Sequence, residues 1–493
     1  MSISFNEIPS AIRVPFFTAE FDASEASQGP SLLTYTGLLI GQKLEGGSAE
    51  ANSLHRVFSV DDVIEKAGRG SMLHRQAIAW FASNTITELW IGVLDDDSGG
   101  AAASGSIEVT EGADEDGTIA LYLGGQRITV GVSAGDSAGD IAGAIEGAIN
   151  AESDLPVTAS EDTATVTVTF RHDGEVGNDF DIRHSHLDGE ELPDGVALTV
   201  TGMADGESNP SLDDLIAAMG DKWFHIWAHP YTDSTNLDAI EAELADRFGP
   251  LRMIDGLAIT SATGSLGDLA TLGDGRNSPH SVILAQPGES PLTPPMEFAA
   301  EAAGIVARFG QIDPARPFQT LAMSHAMPPA ESDLFTKEER GIGSGLLFDG
   351  IATTVEGPGG VVQLERVITT YQETAAGSPD TAYLDSNTLL TLMFLRFDWR
   401  NRTRTKFPRH KLADDGTRFG PGQAVVTPKL MKGEALRWFR DMELIGLVQN
   451  FDQFKEDLIS ARNEQDPNRL DLKLSPNVMN QLMVKATQFA FRL

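Results

Sequence analysis

Short apolar runs alternate with amphipathic stretches along most of the first 310 positions. The runs predict strands at 32–40, 88–94, 223–228, 254–260 and 281–286. The amphipathic stretches predict helices at 60–67, 72–83, 212–219, 236–248, 266–272 and 295–309. Strands that alternate with helices indicate an α/β fold, with a layered and mostly parallel sheet as its core.

The segment 98–208 interrupts this pattern. It is flanked by DDDSGGAAASG and MADGESNP, which have linker composition, and it contains short alternating strands with one helix at 140–150. Residues 98–207 hold 22 acidic residues against three arginines. We therefore predict a small, acidic, β-rich domain inserted between two parts of the sheet core, 31–97 and 209–385.

The pattern changes again after position 310. The residues at 353–371 predict a hairpin with its turn at 357–360, and two long helices are expected at 385–405 and 428–447. We assign 386–477 to a separate C-terminal domain.

Both ends of the chain are apolar but lack a helical period. Residues 1–30 predict an extended arm interrupted by prolines, and residues 478–493 predict a strand arm. The apolar residues of the arms are Ile3, Phe5, Ile8, Val14, Phe16 and Phe21 at the start, and Leu482, Val484, Phe489, Phe491 and Leu493 at the end. A terminal apolar strand must pair with some sheet edge, so these are candidate contacts between subunits.

Charge is distributed unevenly. The net charge is -36, yet residues 391–493 carry 18 basic and 12 acidic residues. The acidic remainder argues against binding to nucleic acid or to an anionic membrane. No run approaches the ~20 apolar residues that span a bilayer, and the first residues lack the pattern of a secretory signal.

The basic residues concentrate at the end of the helix predicted at 385–405. This basic patch is Arg396, Arg400, Arg402, Arg404, Lys406 and Arg409, with Lys411 beyond it. It is either a solvated helix end favoured by the helix dipole or a surface that docks an acidic partner.

Two patterns could carry catalytic or metal chemistry. Gly131–Gly135 reads G-x-S-x-G, so Ser133 could be a hydrolase nucleophile, but a glycine turn followed by capping from Asp136 or Ser137 explains the same residues. His225 and His229 lack the glutamate of a zinc motif and lie on a predicted strand, where they would be ~13 Å apart. No phosphate-binding or dinucleotide-binding motif occurs. We expect no enzyme activity, no cofactor and no metal; the absence of cysteine also excludes disulfides.

The opening SFNEIPSAIRVPFFTAEFD resembles the start of Mu-type myophage tail sheath proteins, which share the arm pattern F-x-x-I-P-x-x-x-R-V-P. The resemblance continues, in the same order and over essentially the whole length, through GDSAGDIAGAIEGAINAESDLPVTAS, RNSPHSVIL, DPARPFQTL, RVITTYQ with AYLDSNTLLTLMFLR, and NVMNQLMVKATQFAFRL.

This resemblance implies a structural subunit that stacks as hexameric rings around the tail tube and contracts to drive the tube through the host envelope. It implies a subtilisin-like core without protease activity, arms that link neighbouring subunits, and an insertion that faces outward. The implied partners are other copies of the chain, the tail tube, the baseplate and the tail terminator. The basic patch would face the tube. The implied location is the virion tail, with assembly in the host cytoplasm. Alternatives are the sheath of a tailocin or related injection apparatus, a serine hydrolase using Ser133, and a monomeric binding protein.

Overall fold

The computed structural model describes residues 33–492, so the predicted arm at 1–30 and Leu493 lie outside the described residues. The strands are β1 Thr36–Gln42, β2 Ser53–Val57, β3 Glu88–Leu94, β4 Ala102–Glu111, β5 Gly117–Leu123, β6 Gln126–Val132, β7 Val157–Asp162, β8 Thr165–Asp173, β9 Ile182–His184, β10 Ala197–Ala204, β11 Ile226–Ala228, β12 Leu257–Ala262, β13 Ser281–Ala285, β14 Ile351–Gly357, β15 Val361–Arg366, β16 Lys411–Leu412, β17 Val425–Val426, β18 Val448–Gln449, β19 Ile459–Arg462, β20 Leu470–Lys473 and β21 Asn477–Val478. The helices are α1 Val60–Ala67, α2 Met72–Ser83, α3 Ala138–Ala151, α4 Asp213–Met219, α5 Ser234–Phe248, α6 Leu266–Asp274, α7 Pro295–Ile312, α8 Lys337–Gly341, α9 Ser386–Lys406, α10 Pro428–Leu444 and α11 Phe451–Asp457.

An eight-stranded sheet forms the centre of the fold, in the order β15-β14-β13-β12-β11-β1-β3-β2. Its six inner strands run parallel, and β2 and β15 add antiparallel edges. All residues of β12 and β13 are buried, as expected for parallel strands covered on both faces. This agrees with the predicted α/β class and mostly parallel sheet. The short polar edge strand β2 was not predicted, because its sequence SLHRV lacks a long apolar run.

Helix α2 lies directly against β1 and is flanked by α7. Ser71 caps α2 by accepting the N–H of His74, and proline at its first turn starts α7. A Cβ at Gly37 in β1 would lie 2.4 Å from Cη2 of Trp80. Glycine at this position therefore lets the indole of α2 rest on the strand.

The strands between residues 102 and 204 form sheets of their own. One is four-stranded, in the order β10-β4-β8-β7, and the other is three-stranded, in the order β6-β5-β9. All their pairings are antiparallel, and α3 packs on β7 and β6. In the described part of the chain, none of these strands pairs with the eight-stranded sheet. Their apolar core nevertheless includes Met72 of α2 and Met296 of α7.

Residues Phe394–Met479 form a compact unit that is helical, with three two-stranded sheets. Its core contains Trp438 and Phe439 of α10 and Phe454 of α11, and Trp438 Nε1 donates to Asp398 Oδ2 at 3.0 Å. Helix α10 ends three residues before the predicted end at 447. The reason is Gly446, whose φ of 78° places it in the left-handed region that terminates helices.

The strand arm predicted at 478–493 stays a prediction, because a partner edge on a neighbouring subunit is not part of the single chain. In the single chain, residues 482–492 form no strand and pair with no sheet edge among the described residues. The start of this segment is held by two side chain to backbone bonds, from Gln481 to Ala315 O at 3.4 Å and from Gln319 to Leu482 O at 3.3 Å. Within residues 33–492, no helix is both long and apolar enough to cross a membrane.

Candidate functional site

The C-terminal segment 480–492, called the C-terminal arm below, exposes a series of large apolar side chains. The exposed fractions are 61% for Leu482, 80% for Val484, 90% for Phe489 and 83% for Phe491. Large apolar side chains that are exposed together in one short segment are typical of surfaces that contact another molecule. The arm is therefore the first candidate for an assembly site.

The six residues of the predicted basic patch are not equivalent. Arg402 binds Glu434 and places Nη1 2.6 Å from Asp441 Oδ2, while Lys406 Nζ lies 2.6 Å from Glu434 Oε1. Burial alone would raise the pKa of Glu434, but the ion pairs with Lys406 and Arg402 lower it. Arg402 and Lys406 thus join α9 to α10.

The other four residues divide into two groups. Arg396 and Arg400 are half-buried, and burial together with the neighbouring charge of Arg400 lowers the pKa of Arg396. Arg404, in the last turn of α9, and Arg409, just beyond it, are exposed. Of the six, only Arg404 and Arg409 are both exposed and outside any ion pair among the described residues; Lys411 is also exposed, and its Nζ donates to Gln423 Oε1 at 2.9 Å.

Ser133 lacks the surroundings of a nucleophile. It is exposed in the turn between β6 and α3, and its backbone N–H donates to Asp136 Oδ2 at 2.7 Å. Ser137 caps α3 in a reciprocal box with Asp140. No histidine in residues 33–492 is hydrogen-bonded to the Ser133 hydroxyl. The capping interpretation accounts for the G-x-S-x-G sequence.

An aspartate–histidine pair does occur, between Asp96 Oδ1 and Nδ1 of His172, at 3.0 Å. The second ring nitrogen, Nε2, accepts the backbone N–H of Met72 at 3.0 Å. Because that lone pair is already engaged by a buried amide, this histidine has no free nitrogen with which to take a proton from a nucleophile.

His225 and His229 are both buried, and burial lowers their pKa values to about 3 and about 4. Nδ1 of His225 accepts the N–H of Thr36 at 3.0 Å, and its ring stacks on Tyr35 and Trp223. Across the described ranges, no three histidine or carboxylate side chains group as metal ligands would. These two residues are neutral core histidines.

Sequence reasoning missed a buried charge cluster formed by Arg75 of α2, Glu297 and Glu301 of α7, and His325. Arg75 binds Glu297 in a two-pronged contact, Nε to Oε1 at 2.7 Å and Nη2 to Oε2 at 3.0 Å. His325 Nε2 lies 2.5 Å from Glu297 Oε2, and Glu301 accepts the backbone N–H groups of His325 and Ala326. The signal was present in the sequence, as two glutamates four residues apart in the apolar run PMEFAAEAAGIVARF.

These contacts set the pKa values within the cluster. Burial disfavours the charged form of His325, but the bond to Glu297 and the nearby Glu301 raise its pKa above the usual value. Burial likewise opposes ionisation of Glu297, and Arg75 and His325 lower its pKa.

A cleft of about 290 Å³ adjoins the cluster and is lined in part by Gly124, Gly125 and Gln126 of the β5–β6 turn. The cluster therefore supports the loop at 324–327 beside the inserted sheets.

Comparison with known proteins identifies the family. Residues 378–492 match the family described as phage tail sheath C-terminal domain, and residues 205–370 match the phage tail sheath protein central domain. The chain is 38% identical, over 100% of both sequences, to the Mu-like prophage FluMu tail sheath protein of Haemophilus influenzae. The chain belongs to the tail sheath proteins of Mu-like contractile-tailed phages, which confirms the resemblance seen in its sequence.

Solved sheath tail proteins are also similar to this chain. That of Desulfitobacterium hafniense is 13% identical with a TM-score of 0.48, covering 95% of this chain and 100% of its own. That of Listeria innocua is 11% identical with a TM-score of 0.49, covering 92% and 94%. The family assignment rests on the sequence matches.

Proposed function

We propose that this chain assembles as stacked hexameric rings around the tail tube, and that contraction of the resulting sheath drives the tube through the host envelope. The observation that carries the proposal is the C-terminal arm, which exposes four large apolar side chains and pairs with no described strand. Family membership supplies the context. In the proposal, the arm of each subunit adds a strand to a sheet edge of a neighbour, and the arm at 1–30 acts in the same way.

Strand addition suits a lattice that must hold together while it rearranges. An added strand gains main-chain hydrogen bonds, and its alternate side chains enter pockets. Burying each large apolar side chain contributes roughly 1.5–3 kcal/mol, whereas ordering the backbone costs about 1–2 kcal/mol per residue. One arm alone would bind weakly, so stability would come from many arms acting together.

In the same proposal, the C-terminal domain at 386–477 faces the tube. Arg404 and Arg409 are exposed and can meet acidic groups, whereas Arg402 and Lys406 hold the helix that presents them. Exposed ion pairs are worth about 0–1 kcal/mol each, so such contacts would break readily when the sheath contracts. No nucleotide is required, because contraction would draw on a metastable lattice.

The rest of the proposal follows from family membership. The core at 31–97 and 209–385 would be subtilisin-like in fold, without protease activity. The baseplate and tail terminator would bind the two ends of the sheath. Subunits would be made in the host cytoplasm and would end in the virion tail.

Negative-stain electron microscopy of the purified chain tests the proposal. We expect rings or striated tubes from the full chain, formed alone or on added tube protein. Phe489→Asp with Phe491→Asp should abolish them. Gln488→Asp is the matched control, since neighbouring residues of a strand point to opposite faces and Gln488 is also exposed.

Assembly that survives the double phenylalanine change would exclude the arm as the link. Failure of the full chain to form rings or tubes even with tube protein present would count against a sheath altogether. Arg404→Glu with Arg409→Glu should lower binding to the tube while leaving tube-free assembly unchanged.

A further inference from the structure

We infer that the inserted domain is fixed to the start of α2 by contacts centred on His172, called the clamp below. These contacts make the insertion and the sheet core behave as one rigid body. This inference is independent of the proposed function. It differs from the sequence-based expectation of an outward-facing insertion, which does not require any fixed attachment to the core.

The first amides of a helix lack acceptors within the helix and need partners from elsewhere. In α2, the N–H of His74 is taken by Ser71 Oγ at 3.1 Å, and the N–H of Met72 is taken by Nε2 of His172 at 3.0 Å. Met72 is fully buried and His172 is 1% exposed, so water does not supply this bond. A residue of the insertion thus completes the cap of a core helix.

The same geometry fixes the proton on His172. Because Nε2 accepts a hydrogen bond, the ring proton resides on Nδ1, which donates to Asp96 Oδ1. Asp96 lies just after β3, where the chain leaves the core for the insertion. The ring therefore joins the exit of one core strand to the start of a core helix, and it can do so in only one tautomer.

Gln42, at the end of β1, adds a second link at the same point. Its fully buried amide donates to Asp96 Oδ1 and to the backbone oxygen of Asp173, both at 2.7 Å. Asp173 is the last residue of β8. The Gln42 side chain and the Asp96 carboxylate therefore connect the ends of β1, β3 and β8.

Packing around the clamp is equally close. The apolar core of the insertion continues into Met72 and Met296. A Cβ at Gly70, which precedes α2 and has a φ of +78°, would lie 2.7 Å from the backbone oxygen of Leu155 in the insertion. Just after β12, Thr263 Oγ1 donates to Asp179 Oδ1 at 2.9 Å. The insertion therefore contacts the core at several separate points.

Hydrogen exchange measured by mass spectrometry on the full chain tests the clamp. His172→Ala should increase the exchange of amides at 72–75 and in β8 by tenfold or more, and it should speed cleavage of the chain at the exposed residues 98–99 by a nonspecific protease. His172→Gln should restore part of the protection, because its amide oxygen can accept the Met72 N–H. His184→Ala is the matched control, since among residues 33–492 that ring bonds only to the neighbouring Ser185 hydroxyl.

Gln42→Met provides a second variant that leaves the histidine in place and should loosen the same amides. Equal exchange in His172→Ala and His184→Ala would overturn the inference. Faster exchange spread evenly over the chain, including α10 in the C-terminal unit, would also overturn it, because the effect would then be general unfolding.

Discussion

Replacing Arg75 with methionine should destabilise the sheet core far more than removing an arginine from a surface pair. The guanidinium is 6% exposed and forms an ion pair with Glu297, which is fully buried on α7. Methionine keeps much of the aliphatic stem but removes the charge. The carboxylate then keeps its contact with Nε2 of His325, at 2.5 Å.

Two estimates bound the loss of stability that Arg75→Met should cause. Breaking one side of a buried ion pair costs about 3–5 kcal/mol, because the other charge is left without compensation. The Glu297 carboxyl group can instead avoid an uncompensated charge by taking up a proton. For a group with an ordinary pKa near 4.3, this protonation costs about 3.7 kcal/mol at pH 7. We therefore expect a loss of about 3–4 kcal/mol in the opening free energy of α2 and α7, or roughly several-hundred-fold faster amide exchange.

The assay is hydrogen exchange on peptides from α2 and α7, at pH 7 and low denaturant, where exchange reports local and global opening. Arg56→Met is the matched control. Arg56 pairs with Glu88 at 3.1 Å on the surface, with exposed fractions of 47% and 34%, so its loss should cost about 0–1 kcal/mol.

The double variant Arg75→Met with Glu297→Leu distinguishes two causes of the destabilisation. One is the loss of the attraction between the two charges, and the other is the cost of a buried carboxylate left without its partner. Removing both partners of a buried pair is often neutral or stabilising, so the double variant should recover much of the loss. The reasoning is refuted if Arg75→Met costs no more than Arg56→Met, or if the double variant is worse than Arg75→Met alone.

Three further measurements follow from the same structure. Because the folded pKa of His325 is raised, its stabilisation is complete below about pH 6.5 and is lost as pH rises through the folded value. The stability gap between the wild type and His325→Gln should therefore narrow from pH 6 to pH 9, and a constant gap in urea titrations would contradict this. Gly37→Ala should cost about 1–3 kcal/mol, since its Cβ would overlap the ring of Trp80, and unchanged thermal unfolding would show that the indole has room to move. Ser137→Ala should cost about 1 kcal/mol in the opening of α3 while Ser133→Ala stays within about 0.5 kcal/mol, and the reverse order would contradict the capping interpretation.

Sequence patterns predicted the elements of the core well where caps and periodicity agreed. Helices α1 and α2 and strand β3 have the predicted bounds, since Ser59 and Ser71 cap the helices and β3 is a continuous apolar run. Strand β2 was missed because an edge strand needs apolar residues on only one face.

For the candidate site, the sequence predicted some features of the folded chain and missed others. The apolar arm residues from Leu482 to Phe491 are exposed, as an assembly surface requires, but the predicted strand does not form in the single chain. A strand needs a partner for its backbone groups, and sequence periodicity cannot state whether that partner is in the same molecule. The basic patch was predicted as one group, whereas the folded chain uses Arg402 and Lys406 to hold α10, because Glu434 and Asp441 come near them only after folding.

The sequence by itself determined the α/β class and the family, because apolar period and ordered motifs are local properties. Only the tertiary structure decided which charges are buried and which amides the insertion completes. Arg75 and Glu297 are 222 positions apart, and Met72 and His172 are 100 apart. Contacts at such separations depend on how helices and sheets pack in three dimensions, so no local pattern reveals them.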